Sequence, residues 1–171
     1  PSRRVGPAAA DLRAAASSTD WPMHLHDYAG TRYSPLRQVT RQNAARLQVS
    51  CTFQMGVIEN FVTGPVVWQG TMYLTTPELT VAIDAATCRE RWRHRWQWLD
   101  EPGWKNHRGV AVQDGYVVRG TADGYLLALD AATGRLLWAR HVGNPAAGEV
   151  FTMPAMIIDS LVILGTAGSE N

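Results

Sequence analysis

The chain has 171 residues, 46% hydrophobic and 18% charged, with 16 Lys and Arg against 15 Asp and Glu. At roughly 100–200 residues per domain this suits one packed domain or part of a larger one, and it excludes a disordered, solvating chain. A net charge of +1 removes the electrostatic case for nucleic acid, and no apolar run reaches the roughly 18 residues of a membrane span.

Residues 1–20 are rich in Ala, Arg and Ser and lack the apolar stretch of a signal peptide, so they read as a poorly structured tail. A start at Pro1 rather than Met reads as a processed boundary, which leaves the cellular address unrecorded. His24 and His26 have only Asp27 close in sequence, too few ligands for a metal, and read as loop histidines. The first clear strand is 70–74. A second apolar stretch leads into Asp84 and on to Trp92. Over 91–98 the residues alternate, with Trp92, His94, Trp96 and Trp98 on one face and Arg91, Arg93 and Arg95 on the other. Such a stretch could stack nucleobases. An outer strand with one packed and one solvated face is the better reading, since Asp100 and Glu101 follow at once. His107 and Arg108 precede a further strand at 115–119, and the pattern continues through Asp130 and Trp138 to a last strand at 160–164.

These elements repeat. Residues 82–92 (AIDAATCRERW) and 128–138 (ALDAATGRLLW) keep Asp, Thr and Trp at one offset, and the strands at 70–74, 115–119 and 160–164 match one another. A period near 46 residues suits four short strands and their turns, which is one propeller blade. Asp130 can bond the backbone two residues on, and Gly134 suits the left-handed position that follows. The third copy stops before its own Asp and Trp. Two and a half blades leave an unpaired flank, so the expectation is a piece of a longer propeller, the rest lying on the same chain or a second one.

The repeat resembles the tryptophan-docking motif of quinoprotein alcohol dehydrogenases, eight-bladed propellers that use pyrroloquinoline quinone with Ca²⁺ or a lanthanide. Three further stretches resemble those enzymes specifically: 27–36 (DYAGTRYSPL), 108–111 (RGVA) and 165–170 (GTAGSE). The likeness covers 21–171, and implies an all-β fold: a strap and closing-blade strand at 21–56, blade one at 57–100, blade two at 101–145 and the start of blade three at 146–171. Within the first part it implies a short helix over 41–47 capped by Thr40, then a strand at 48–53.

By the same resemblance, Arg108 contacts the quinone, where a tricarboxylate suits a planar, always-charged donor fork. Thr152, Ala167, Gly168 and Ser169 match further cofactor contacts, and Glu170 matches a metal ligand, an oxygen donor suited to a hard cation. The remaining ligands and the Asp that takes the substrate proton match nothing in this chain. Two positions depart from the family. Pro102 and Gly103 stand where a cysteine pair often lies on the quinone, with Trp104 next door as a flat substitute. Val62 stands where a Glu is frequent, and Glu59 is three positions early. His107 borders the pocket. The partners implied are a small alcohol and an electron acceptor such as a cytochrome c or a quinone, in a periplasmic or secreted setting.

The resemblance also gives meaning to the two cysteines. In this architecture the Trp of one blade packs on the turn Gly of the next. Cys88 holds the turn-Gly position and Cys51 the preceding Trp position, so a disulfide would replace that contact covalently. The alternative is two buried thiols as small apolar filler. A propeller that has lost its quinone and serves as a protein-binding scaffold, or one subunit of a split propeller, is the rival to the enzyme.

Overall fold

The computed structural model describes residues 5–167. Two four-stranded antiparallel sheets follow one another along the chain. The first holds β1 (Val66–Trp68), β2 (Thr71–Thr75), β3 (Leu79–Asp84) and β4 (Glu90–Arg95). The second holds β5 (Ala111–Gln113), β6 (Tyr116–Gly120), β7 (Tyr125–Asp130) and β8 (Leu136–His141). A hairpin of β9 (Met156–Ile158) and β10 (Leu161–Ile163) begins a third. Every strand pairs only with its neighbours in sequence, and the sheets are successive blades of a β-propeller that do not close into a ring.

Local chemistry explains the hairpins. Gln69-Gly70 and Asp114-Gly115 take positive φ at both central positions, as a two-residue turn between right-twisted strands requires. In the longer turns, Asp84 Oδ1 accepts from the backbone N–H of Ala86 and Thr87 and from the Thr87 hydroxyl. Asp130 Oδ1 does the same for Ala132 and Thr133. Both blades shift register at one equivalent rung, Ala82/Ile83 and Ala128/Leu129.

The core lies between sheets. Val66, Tyr73, Ala82 and Trp92 of blade one meet Val110, Val112, Val117 and Leu129 of blade two. Ala111, Val118 and Ala128 meet Ala155 and Ile157 of the third. The other face of blade one, with Leu74, Leu79, Val81 and Ile83, is covered by Phe53, Met55 and Val57.

Trp92 is the central joint. Its ring lies on Gly134, where an added Cβ would fall 2.5 Å from Trp92 Cε3, and its Nε1–H donates to Ala131 O at 2.9 Å. Trp138, the equivalent residue one repeat later, is 37% exposed against 8% for Trp92. The ring is therefore buried by the neighbouring blade's turn, not by its own sheet. Between Cys51 and Cys88 a disulfide takes the place of this joint, with Cα atoms 5.8 Å apart. Cys88 keeps the positive φ of the glycine it replaces, 57° against 72° at Gly134.

A second link is polar. The fully buried Arg119 on β6 reaches into blade one and donates to Pro77 O, Leu79 O and Thr80 Oγ1. Burial lowers its pKa to about 9. The buried Asp123 accepts the Trp96 indole N–H and the Leu99 amide.

Three expectations are corrected. Residues 9–17 are not an unstructured tail. They form α1 (Ala9–Arg13) and a 3₁₀ turn (Ala15–Ser17), because Leu12 and Ala15 find burial and Pro7 O accepts the Asp114 amide. The helix expected over 41–47 is only a 3₁₀ turn, Ala44–Arg46, preceded by Asn43 in place of Thr40. It lies wholly on the exposed surface, so no apolar face rewards a longer helix. Residues 48–53 form no strand, because among the described residues none lies alongside to complete a ladder. From Cys51 to Glu59 they still alternate inward and outward.

In the full-length protein, Gly134→Val is expected to lower stability by about 2–5 kcal/mol, from overpacking against Trp92 and a β-branched residue at positive φ. A leftward shift of the urea midpoint measures it. Reducing the disulfide is expected to cost about 3–4 kcal/mol, from the chain entropy of a loop of this length, and to add two alkylation sites by intact mass.

Candidate functional site

Three segments lead into the first strand of successive sheets: 57–64 into β1, 101–110 into β5 and 148–155 into β9. Arg108 lies at their junction. Its amide donates to Thr152 O at 2.9 Å, and its carbonyl accepts from Gly64 N at 2.8 Å. Its Nη1 donates to Thr152 Oγ1 at 2.9 Å and approaches Met153 Sδ at 3.7 Å. Thr152 is buried, whereas the Arg108 side chain is exposed. After Arg108 the chain turns sharply at Gly109, at φ 134°, where a Cβ would fall 2.7 Å from Gly64 O. Only glycine permits that approach.

Ala167 is brought to the same place, since its amide donates to Val150 O at 2.8 Å, two residues before Thr152. The expected Gly168, Ser169 and Glu170 contacts lie outside the described residues. Trp104 is 59% exposed, and its carbonyl accepts the Asn106 amide. Gly103, in the cysteine-pair position, donates to Ala122 O, and a Cβ there would collide with Val150 Cγ1. Val62 is exposed. Glu59 lines a separate recess with Pro77 and Lys105, its Oε2 buried without a partner. The Asn60 side-chain Nδ2 donates to Asn106 Oδ1 at 3.0 Å and joins the two loops.

The geometry suits an anion. Arg108 spends one nitrogen on Thr152 and Met153, which leaves donors exposed in a planar fork that matches a carboxylate. The buried Thr152 fixes the direction of that fork. Among the described residues no group of three or more His, Cys, Asp or Glu side chains could hold a metal.

Two histidines frame Arg108: His107, which the sequence already placed beside the pocket, and His24, which it read as a loop histidine. His107 is fully buried, with Nδ1 3.0 Å from Thr75 Oγ1 and 3.4 Å from the Gly109 amide. Thr75 Oγ1 is 3.0 Å from Thr63 Oγ1, which also accepts the Thr75 amide. Burial holds the His107 pKa well below its ordinary value, and the Arg119 and Arg108 charges add to this. His24, on the strap that pairs with β1 through Trp21 and Val67, lies against Gly64 with Nδ1 buried and unpartnered. Burial and the charges of Arg32 and Arg108 lower its pKa. It borders a largely apolar cavity of about 260 Å³ between the strap and β5 and β9. Thr63 and Thr75 carry no signal in the sequence, because threonine is an ordinary strand residue.

Residues 21–169 match the family model described as the PQQ glucose/ethanol/alcohol dehydrogenase β-propeller domain. The chain is 34% identical over 163 residues to a cytochrome c-linked 1-butanol dehydrogenase of Thauera butanivorans, covering 91% of this chain and 23% of that protein. Its structure is similar to a quinohemoprotein alcohol dehydrogenase of Pseudomonas putida, with a TM-score of 0.89, 27% identity, and coverage of 99% of this chain and 26% of the other. It is also similar to a europium-containing methanol dehydrogenase, with a TM-score of 0.82, 27% identity, and coverage of 93% and 29%. The chain thus spans about a quarter of the length of the relatives it matches.

A buried neutral histidine makes stability depend on pH. The unfolded chain takes up a proton near pH 6.5 and the folded site does not. The contribution of His107 is therefore complete above that pH and is lost as pH falls below it, by up to about 1.4 kcal/mol per pH unit. In the full-length protein the slope of unfolding free energy between pH 6 and 5 is expected to fall by one proton in His107→Asn, as read from urea titrations.

Proposed function

The chain belongs to the PQQ-dependent glucose/ethanol/alcohol dehydrogenase β-propeller family, and from that premise we propose that it forms one wall of a pyrroloquinoline quinone site in an alcohol-oxidising enzyme. The observation that carries this reading is the Arg108 fork, anchored on buried Thr152 with donors left exposed. In a site closed to water, such charge-assisted bonds hold an anionic cofactor in one orientation. Thr152 orients Arg108, and the backbone around Ala167 forms the adjoining edge. When bound, the quinone supplies a two-electron acceptor for the hydride of the alcohol, with the metal as Lewis acid. Gly168, Ser169 and Glu170 are proposed as the remaining contacts, with Glu170 as the ligand to Ca²⁺ or a lanthanide. Trp104 offers a flat ring in place of the cysteine pair.

The proton-abstracting Asp and the other metal ligands are assigned by the family resemblance to other blades, so the activity belongs to the complete propeller. Its electron acceptor would be a cytochrome c or a quinone. The Cys51–Cys88 disulfide favours an oxidising compartment, periplasmic or extracellular. No helix among the described residues is long and apolar enough to cross a membrane.

A scaffold without cofactor is the second reading, favoured by Val62 and by Gly103, whose packing on Val150 leaves no room there for a cysteine side chain. Adding the quinone and Ca²⁺ to the full-length protein separates the two: cofactor absorbance and alcohol-dependent dye reduction support the enzyme, and neither appears for a scaffold. Arg108→Ala is expected to weaken quinone binding by roughly ten- to a hundredfold, the loss of a charge-assisted pair. Arg108→Lys recovers only part, since a point charge cannot replace the fork. Spectral titration measures both.

A further inference from the structure

Arg108 is gripped from behind by a buried polar chain that no cofactor contact requires. We propose that His107 is a positioning residue: through its Nδ1 it fixes Gly109 and Thr75, and so sets the direction in which Arg108 presents its guanidinium. The proposal rests on the reading of Arg108 as a cofactor-binding residue.

The hydrogen-bond polarity is determined by its ends. The Gly109 amide can only donate, so His107 Nδ1 must accept, which puts the ring proton on Nε2. The Thr75 hydroxyl then donates to Nδ1 at 3.0 Å. Its oxygen is left to accept from the Thr63 hydroxyl at 3.0 Å, and Thr63 Oγ1 in turn accepts the Thr75 amide at 3.2 Å. Each hydroxyl in the chain has one direction available. His107 Nε2 is buried with no hydrogen bond of ordinary geometry.

The chain closes around Arg108. On one side His107 holds the amide of Gly109, the residue at φ 134° that turns the backbone. On the other, Thr63 precedes Gly64, whose amide grips the Arg108 carbonyl at 2.8 Å. The two residues flanking Arg108 and the residue bonded to its carbonyl are thus tied to one strand, β2, by Thr75. Without the acceptor at Nδ1, the buried Gly109 amide would lose its partner and the Thr75 hydroxyl would keep only Thr63, and the turn would relax to satisfy the amide.

The test uses the full-length protein and two probes. His107→Phe keeps a flat ring and removes the acceptor, whereas His107→Asn places Oδ1 where Nδ1 was. In the protein without cofactor, phenylglyoxal labelling of Arg108, followed by peptide mass spectrometry, is expected to change at least threefold in His107→Phe and to return to the wild-type rate in His107→Asn. Quinone affinity by spectral titration is expected to fall at least tenfold in His107→Phe and to recover in His107→Asn. Unchanged labelling in His107→Phe overturns the proposal, as does His107→Asn behaving like His107→Phe, which would mean that the ring only fills space. If His107→Phe fails to fold, Thr75→Val against Thr75→Ser asks the same question of the hydroxyl, with the same outcomes. If wild type takes up no quinone while labelling still separates Phe from Asn, the positioning role stands and the cofactor reading falls.

Discussion

The structure depends on a ring of one blade lying on a bare turn of the next. Trp92 covers Gly134 so closely that no side chain fits between them, and its indole N–H takes a carbonyl of that same turn. One residue thus contributes apolar burial and a satisfied polar group across the seam between two sheets. A blade has no core of its own in the usual sense. Its apolar residues belong to clusters shared with its neighbours, so the seam rather than the sheet is the stable unit. At the preceding seam Cys51 and Cys88 make the equivalent link covalently, and Arg119 and Asp123 reinforce the Trp92 seam with buried charged groups whose nitrogens and oxygens all have partners.

Much of the fold was readable because the repeat is local. The Asp84 and Asp130 turns, the glycine beyond Asp130 and the spacing to the Trp are set by contacts a few residues apart, and the structure keeps them at equivalent places. The cysteine pairing was readable only through that frame, since neither cysteine carries information alone. Elements whose conformation depends on something distant in sequence were less legible. Leu12 and Ala15 order a segment that composition alone marks as loose, because they find burial against parts of the chain far away. Residues 51–59 have strand alternation yet no ladder, because alternation records which side is packed and not whether a neighbour is present.

The site divides along the same line. Arg108 and Thr152 were visible as matches to a known pattern, and the structure brings them within hydrogen-bonding distance. Of the layer behind them only His107 was marked, as a neighbour of the pocket, and its role there was not visible. Thr63, Thr75 and His107 come from three separate segments, and nothing in their spacing announces a chain of hydroxyls and an imidazole. Three-dimensional placement converts ordinary strand threonines into parts of a fixed network, which is why residues that support a site are harder to read than residues that face a ligand.

Both complete blades shift register at the same rung, between Ala82 and Ile83 and between Ala128 and Leu129. An irregularity repeated at one rung bends each wedge by a similar amount, so the angle between neighbours is written into the backbone path. A rosette tolerates little angular error, because small deviations accumulate around the circle. An inserted or deleted residue near that rung would therefore spoil the arc, whereas a change of seam side chains that keeps the contact, as the Cys51–Cys88 disulfide does, leaves the backbone path as it is.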